Sequence, residues 1–139
     1  MFIYEIGVIS YYKEQGVLWK AIDWRRKLDR WAKDNKIKTF NPMNTYQIEM
    51  NHTYSDKAIV EQNDYYINKA DIAVANMNDI EKSPGSIYEI VRFKDLRKPV
   101  IAFGEKVWSP HINSCITHQC DSLDECIELL VNMFSQGNF

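Results

Sequence analysis

The 139 residues contain no stretch approaching the roughly 18 consecutive apolar residues of a membrane-spanning helix. The chain opens on Met1-Phe2-Ile3-Tyr4-Glu5, without the basic start and apolar run of a signal peptide. The expectation is a soluble, cytoplasmic protein with no membrane partner. Five glycines and four prolines are too few for collagen-like or low-complexity sequence. Neither sign of charge dominates, since 17 Lys and Arg against 19 Asp and Glu leave a formal net charge of −2. With 45% apolar residues, that balance excludes a disordered chain. It also argues against a nucleic-acid partner, which calls for a basic excess. Cysteine is scarce and odd in number, and Cys115, Cys120 and Cys126 read as reduced thiols. With His111 and His118 they offer a zinc-dependent interaction domain as one reading, but the spacing lacks paired CxxC knuckles. No metal and no cofactor is expected. The dinucleotide fingerprint GxGxxG, the phosphate-binding GxxxxGK[ST] and the nucleophile elbow GxSxG are all missing, which removes the usual routes to those chemistries.

Aromatic side chains are in surplus, at 13% of the chain, more than a minimal core requires. A ligand pocket or a subunit interface would use them. Phe2 to Ile9 reads as a buried strand, followed by a helix over residues 14–34. Val17, Ala21, Trp24, Leu28 and Trp31 form its apolar stripe, and Arg25, Arg26, Lys27, Arg30 and Lys33 are expected on solvated faces. Lys38 to Phe40 is a short strand stopped by Asn41-Pro42. Residues 43–54 are aperiodic, and Tyr46, His52 and Tyr54 there are candidates for base stacking or a lid. Ser55 or Asp56 caps a helix to about Lys69, and Ile72 to Met77 is a strand covered on both faces. Ser83-Pro84-Gly85-Ser86 opens a helix to about Leu96, followed by a strand over Pro99–Phe103. A last strand is expected within Ile112–Thr117 and a terminal helix over Ser122–Met133.

This alternation predicts one α/β domain over residues 1–139, a flavodoxin- or Rossmann-like three-layer sandwich with a parallel sheet of four to five strands. Ligands in such sheets bind at the carboxyl ends of the strands. That rule selects Ser10 to Tyr12, Pro42 to Tyr46, Asn76 to Ser86 and Glu105 to Asn113. The helix starting at Ser83 offers unpaired backbone N–H groups and the positive end of its dipole to a sugar hydroxyl or a phosphate. Glu89 lies less than two turns into it, where a carboxylate can do no more than complement the dipole, or can act chemically.

These residues resemble the nucleoside 2-deoxyribosyltransferase family, including its branch of deoxynucleoside 5'-monophosphate N-glycosidases. The resemblance rests on Tyr4 and Gly7 in the first strand, on Phe40-Asn41-Pro42, and on the helix before Ala70-Asp71. It is completed by Gly85-x-x-x-Glu89 and Lys98-Pro99-Val100. It implies that Glu89 is a nucleophile attacking C1' of deoxyribose, with Tyr4 positioning it. It implies contacts to a nucleoside or nucleotide from Gly7, Asn76, Ser83, Gly85, Ser86 and Tyr46. It also implies a homo-oligomer in which Asn113 of one subunit completes the site of its neighbour.

Two positions depart from the family pattern. Where its transferases carry an aspartate six residues before the nucleophile, this chain has Ser83, as in the monophosphate branch. Where the family has an aspartate eight residues before Asp71, this chain has Asn63, with Asp64 one place later. Either Asp64 takes the acid's role by a shift of register, or help to the leaving base is weakened. Three readings follow on this fold: deoxyribose transfer between nucleobases, hydrolysis of a deoxynucleoside 5'-monophosphate, or a non-catalytic nucleotide-binding module.

Overall fold

The computed structural model of the protein describes residues 1–45 and 54–135. Its apolar centre is β3 (Ile72–Asn76), buried along its whole length. On one side β3 pairs with β1 (Phe2–Ile6), which pairs in turn with β2 (Lys38–Phe40). On the other side β3 pairs with β4 (Val100–Phe103), which carries β5 (His118–Cys120) at the edge. The order is β2-β1-β3-β4-β5 and every pairing is parallel. Tyr4 stands between Phe40 and Ala73 in register. The chain leaves β1 in one direction for β2 and in the other for β3, so their carboxyl ends flank the switch point where such sheets bind ligands.

Helices cover both faces, as right-handed crossovers require. Tyr4, Ile6, Ala73, Ala75, Val100 and Ala102 face α4 (Asp56–Lys69) and α5 (Pro84–Asp95), where they meet Ile67, Ile90 and Phe93. Ile3, Ile72, Val74, Ile101 and Phe103 face α2 (Trp19–Asp34) and α7 (Leu123–Leu129), where they meet Trp24, Leu28, Leu123 and Cys126. The two-residue alternation of a strand thus sends Tyr4 and Glu5 to opposite layers. All three cysteines are buried in this packing as free thiols.

Several boundaries differ from expectation for local reasons. The helix predicted over 14–34 is two helices, α1 (Ser10–Glu14) and α2. Gly16, at φ +70, takes the left-handed turn between them. β1 stops at Ile6 rather than Ile9. No strand forms over Ile112–Thr117; Ser109 and Pro110 start a helical turn, α6 (Pro110–Asn113), with proline preset for its first position. The last strand is β5 instead, whose exposed His118 and Gln119 gave no apolar pattern to read. After α7 the chain widens into a π turn, Leu130–Ser135. A short helix, α3 (Pro42–Thr45), follows β2; Tyr46 and His52 lie outside the described residues. No helix among the described residues is long and apolar enough to cross a membrane.

Candidate active site

Two side chains 85 residues apart in the sequence meet beneath the switch point. Tyr4 points from β1 into the α5 layer, fully buried between Phe40, at 5.0 Å between ring centroids, and Phe93, at 5.6 Å. Its hydroxyl donates to Oε2 of Glu89 in the second turn of α5. Aromatic walls fix the phenol, and the phenol fixes the carboxylate. Burial pushes the Glu89 carboxyl up to about 7, against the opposing pull of the Tyr4 hydrogen bond and the Arg25 charge. Asp64 adds a smaller upward push. A carboxylate buried without ordinary solvation, yet held by one good donor, is what a covalent nucleophile at neutral pH requires.

Glu89 opens onto a cavity of about 260 Å³. The N-terminus of α5 forms one rim. Ser83 is the cap, its Oγ accepting from Ser86 N at 3.3 Å and donating to Ser86 Oγ at 2.7 Å. Pro84 follows at the first helical position. A Cβ on Gly85 would meet nothing within 4 Å, so the glycine leaves room over that turn. Lys82 stands just before the cap and also lines the cavity. Across the cleft, α4 supplies Ile59, Val60 and Asn63. The Asn63 Oδ1 is buried with no hydrogen-bond partner among the described residues, and Asn63 lines the cavity. Gly7, Ile9 and Tyr11 line the end of β1 and the start of α1.

Arg25 is the residue that sequence reasoning misplaced. Expected on a solvated face, it is 1% exposed and lines the same cavity. Its Nη1 donates to Ala21 O at 2.9 Å and its Nη2 to Gly7 O at 3.0 Å. The guanidinium carbon lies 4.5 Å from the centre of the Trp24 ring. The clue was available: position 25 is four residues after Ala21 and three before Leu28, inside the apolar stripe. Arg26, Lys27, Arg30 and Lys33 are exposed as expected. Gly7 makes room for this arrangement, since a Cβ there would come within 2.9 Å of Trp24 Cζ2 and 3.3 Å of Arg25 Nη2.

The cleft therefore brings together Gly7, Asn63, Ser83, Gly85, Ser86 and Glu89, with Tyr4 behind the carboxylate. It does not bring in Asp64, which accepts from the Tyr88 hydroxyl at 3.0 and 3.1 Å and lies 3.7 Å from Arg92 Nε. Asn76 shapes a loop instead: its Oδ1 accepts from Asn78 N at 3.0 Å, and Asn78 Oδ1 accepts from Glu105 N at 2.8 Å. Asn113 is exposed on α6, outside the cavity, and donates to Val107 O. Tyr54 is exposed, and Tyr46 falls outside the described residues. Among the described residues, no group of three or more His, Cys, Asp or Glu could hold a metal.

No curated protein matches this sequence. A solved 2-deoxyribosyltransferase from the psychrotolerant bacterium Bacillus psychrosaccharolyticus is similar in structure, with a TM-score of 0.64 and 15% sequence identity. The likeness covers 91% of this chain and 90% of that one, and establishes a shared fold. The sequence model of nucleoside 2-deoxyribosyltransferases matches residues 18–129, which span α2, α4, the cap at Ser83 and Glu89. On that match the chain belongs to the nucleoside 2-deoxyribosyltransferase family.

Proposed function

We propose that the protein cleaves the N-glycosidic bond of 2'-deoxynucleosides through an ester between Glu89 and deoxyribose, and passes the sugar to a second nucleobase. The observation that carries this reading is the buried Glu89 carboxyl, gripped by the Tyr4 hydroxyl and facing the cavity at the switch point. The carboxylate oxygen attacks C1' while the C1'–N bond breaks, and the electron pair departs with the base. A second base then attacks C1', the ester bond breaks, and its electron pair returns to Glu89 while the incoming nitrogen releases a proton. One hard displacement becomes two easier ones.

The leaving base also needs a proton or a tolerance for its charge. Asn63 faces the cleft but has no acidic proton, and the Asp64 carboxylate is engaged by Tyr88 and Arg92. In this reading the base is protonated from solvent, while the Asn63 amide reads its polar edge. A homo-oligomer would carry the exposed Asn113 of one subunit to the cleft of the next, a role that a strictly monomeric solution mass would remove.

A second reading, hydrolysis of a deoxynucleoside 5'-monophosphate with water as acceptor, is favoured by one specific arrangement. Lys82, Ser83 and Ser86 gather at the N-terminus of α5, where hydroxyls, a cation and the helix dipole suit a phosphate. Incubation with a deoxynucleoside plus a second base, and in parallel with each deoxynucleoside monophosphate, separates the two. Exchange product from free nucleosides supports transfer; free base from the monophosphate alone supports hydrolysis and sinks transfer. Tight binding without turnover of either would refute both.

A further inference from the structure

Arg25 is a buried cation in the wall of the cavity. Trp24 packs against Phe103 and Leu28 is fully buried, so the helix face already has a sound core. A guanidinium taken out of water costs several kcal/mol before its partners are counted. Its hydrogen bonds to Gly7 O and Ala21 O bring it to the end of β1, where it forms part of the wall of the same cavity as Glu89. Gly7 is the opening that lets it reach there from the α2 layer.

Glu5 approaches this charge from β1. It is fully buried, and its Oε2 lies 3.9 Å from Arg25 Nε, at the long limit of an ion pair. Burial first, then the nearby Asp29 carboxylate, push the Glu5 carboxyl well above its usual range, outweighing Arg25, and neither Glu5 oxygen has a hydrogen-bond partner among the described residues. The guanidinium has Glu5 on its β1 side and shares the wall of the cavity with Glu89. The other groups that act on Glu89 are Tyr4 from β1, Asp64 from α4 and its own neighbour Tyr88 on α5. Arg25 is the cation that pulls the Glu89 carboxyl downward, and Lys82 lines the same cavity.

We infer that Arg25 is a positioning residue for the reaction, a buried guanidinium, fixed by the carbonyls of Gly7 and Ala21 in the wall of the cavity it shares with Glu89, and that its positive charge acts on the Glu89 carboxyl. The inference rests on Glu89 being the nucleophile. It concerns a residue outside the motifs that carry the family resemblance.

The test is the pH dependence of kcat/KM for base release in Arg25→Gln and Arg25→Lys, alongside the carbon-13 titration of the Glu89 carboxyl in the same proteins. The glutamate signal is assigned by its loss in Glu89→Gln. Removing the positive charge raises the pH at which Glu89 ionises, so the acid limb of Arg25→Gln moves up by about one pH unit. The carbon signal follows it, and Arg25→Lys recovers most of the displacement. An acid limb and a carbon signal that stay in place in Arg25→Gln overturn the inference, even if kcat falls. Full activity in Glu89→Gln would sink the nucleophile instead, while the carbon titration, read without turnover, would still decide what Arg25 does. If Arg25→Gln does not fold, Glu5→Leu with Arg25→Met replaces both buried polar groups by apolar ones and is read the same way.

Discussion

A carboxyl buried at this cost should destabilise the fold that holds it, and the size of the effect follows from the structure. Burial raises the Glu89 carboxyl from 4.5 to about 7, each tenfold change in proton affinity being worth about 1.36 kcal/mol. The folded protein thus holds its proton to higher pH than the unfolded chain. Stability from this group is complete below about pH 4.5, declines as pH rises through 7, and levels off about 3 kcal/mol lower. Glu89→Gln keeps the shape and an oxygen for the Tyr4 hydroxyl but never ionises. At pH 8 the variant should be more stable by about 2–3 kcal/mol, raising Tm by about 6–10 °C for a domain of this size. At pH 4.5 the two proteins should melt together. Glu5 is also pushed up, but it imposes the same slope on both and cancels in the difference. Thermal melts followed by circular dichroism from pH 4.5 to 8.5 provide the measurement. A stability difference independent of pH, or a wild type that is the more stable at pH 8, would refute the argument that burial sets the state of this carboxyl.

Other substitutions separate chemistry from scaffold. Asn63→Asp places an acid on the cleft wall, and should speed release of poorly leaving bases by about tenfold or more below neutral pH; unchanged rates would show that proton delivery is not limiting. Gly7→Ala drives a Cβ against the rigid Trp24 ring at 2.9 Å. It should cost about 1–3 kcal/mol and lower kcat/KM by about tenfold or more, as the Arg25 and Trp24 pair is displaced; a neutral outcome in both melts and kinetics would remove the window role. Lys98→Met loses bonds from Nζ to Ile67 O at 2.8 Å and Asn68 O at 2.7 Å. Those carbonyls end α4, so urea unfolding should show a loss of about 1–2 kcal/mol.

Much of this was readable before any coordinates. Ser83 was legible as a cap and Ser55 as one of two candidates, and each accepts a backbone N–H three residues on, as Ser122 does at the start of α7. The apolar run of β3 announced a central strand because both of its faces are covered. β5 was not legible: it is an edge of three residues with only Cys120 buried, so tertiary pairing and not its own pattern makes it a strand. Arg25 was read as surface because charge outweighed periodicity, although its position in the stripe pointed inward. Choosing between Asn63 and Asp64 needed the rotation of α4 about its axis, which one residue changes by a quarter turn or more. That rotation sends Asn63 to the cleft and Asp64 to Tyr88 and Arg92.

The family resemblance mixes residues of two kinds, and the sheet separates them by edge. At the amino edge, Asp71 accepts the backbone N–H of Phe2 at 2.8 Å, pinning the start of β1, and Lys98 ties the end of α4 to the entry of β4. Neither touches the cleft, and their effect on chemistry passes through the placement of β1 and α4. At the carboxyl edge, Gly7, Ser83 and Glu89 face the cavity directly. Tyr4 belongs to both groups, since its ring is core and its hydroxyl grips the Glu89 carboxyl. Variants at the amino edge should therefore lose stability and activity together. Those at Ser83 and Glu89 should dissociate the two, whereas Gly7, packed on Trp24, should not, and Glu89→Gln is the limiting case in which activity disappears while stability rises.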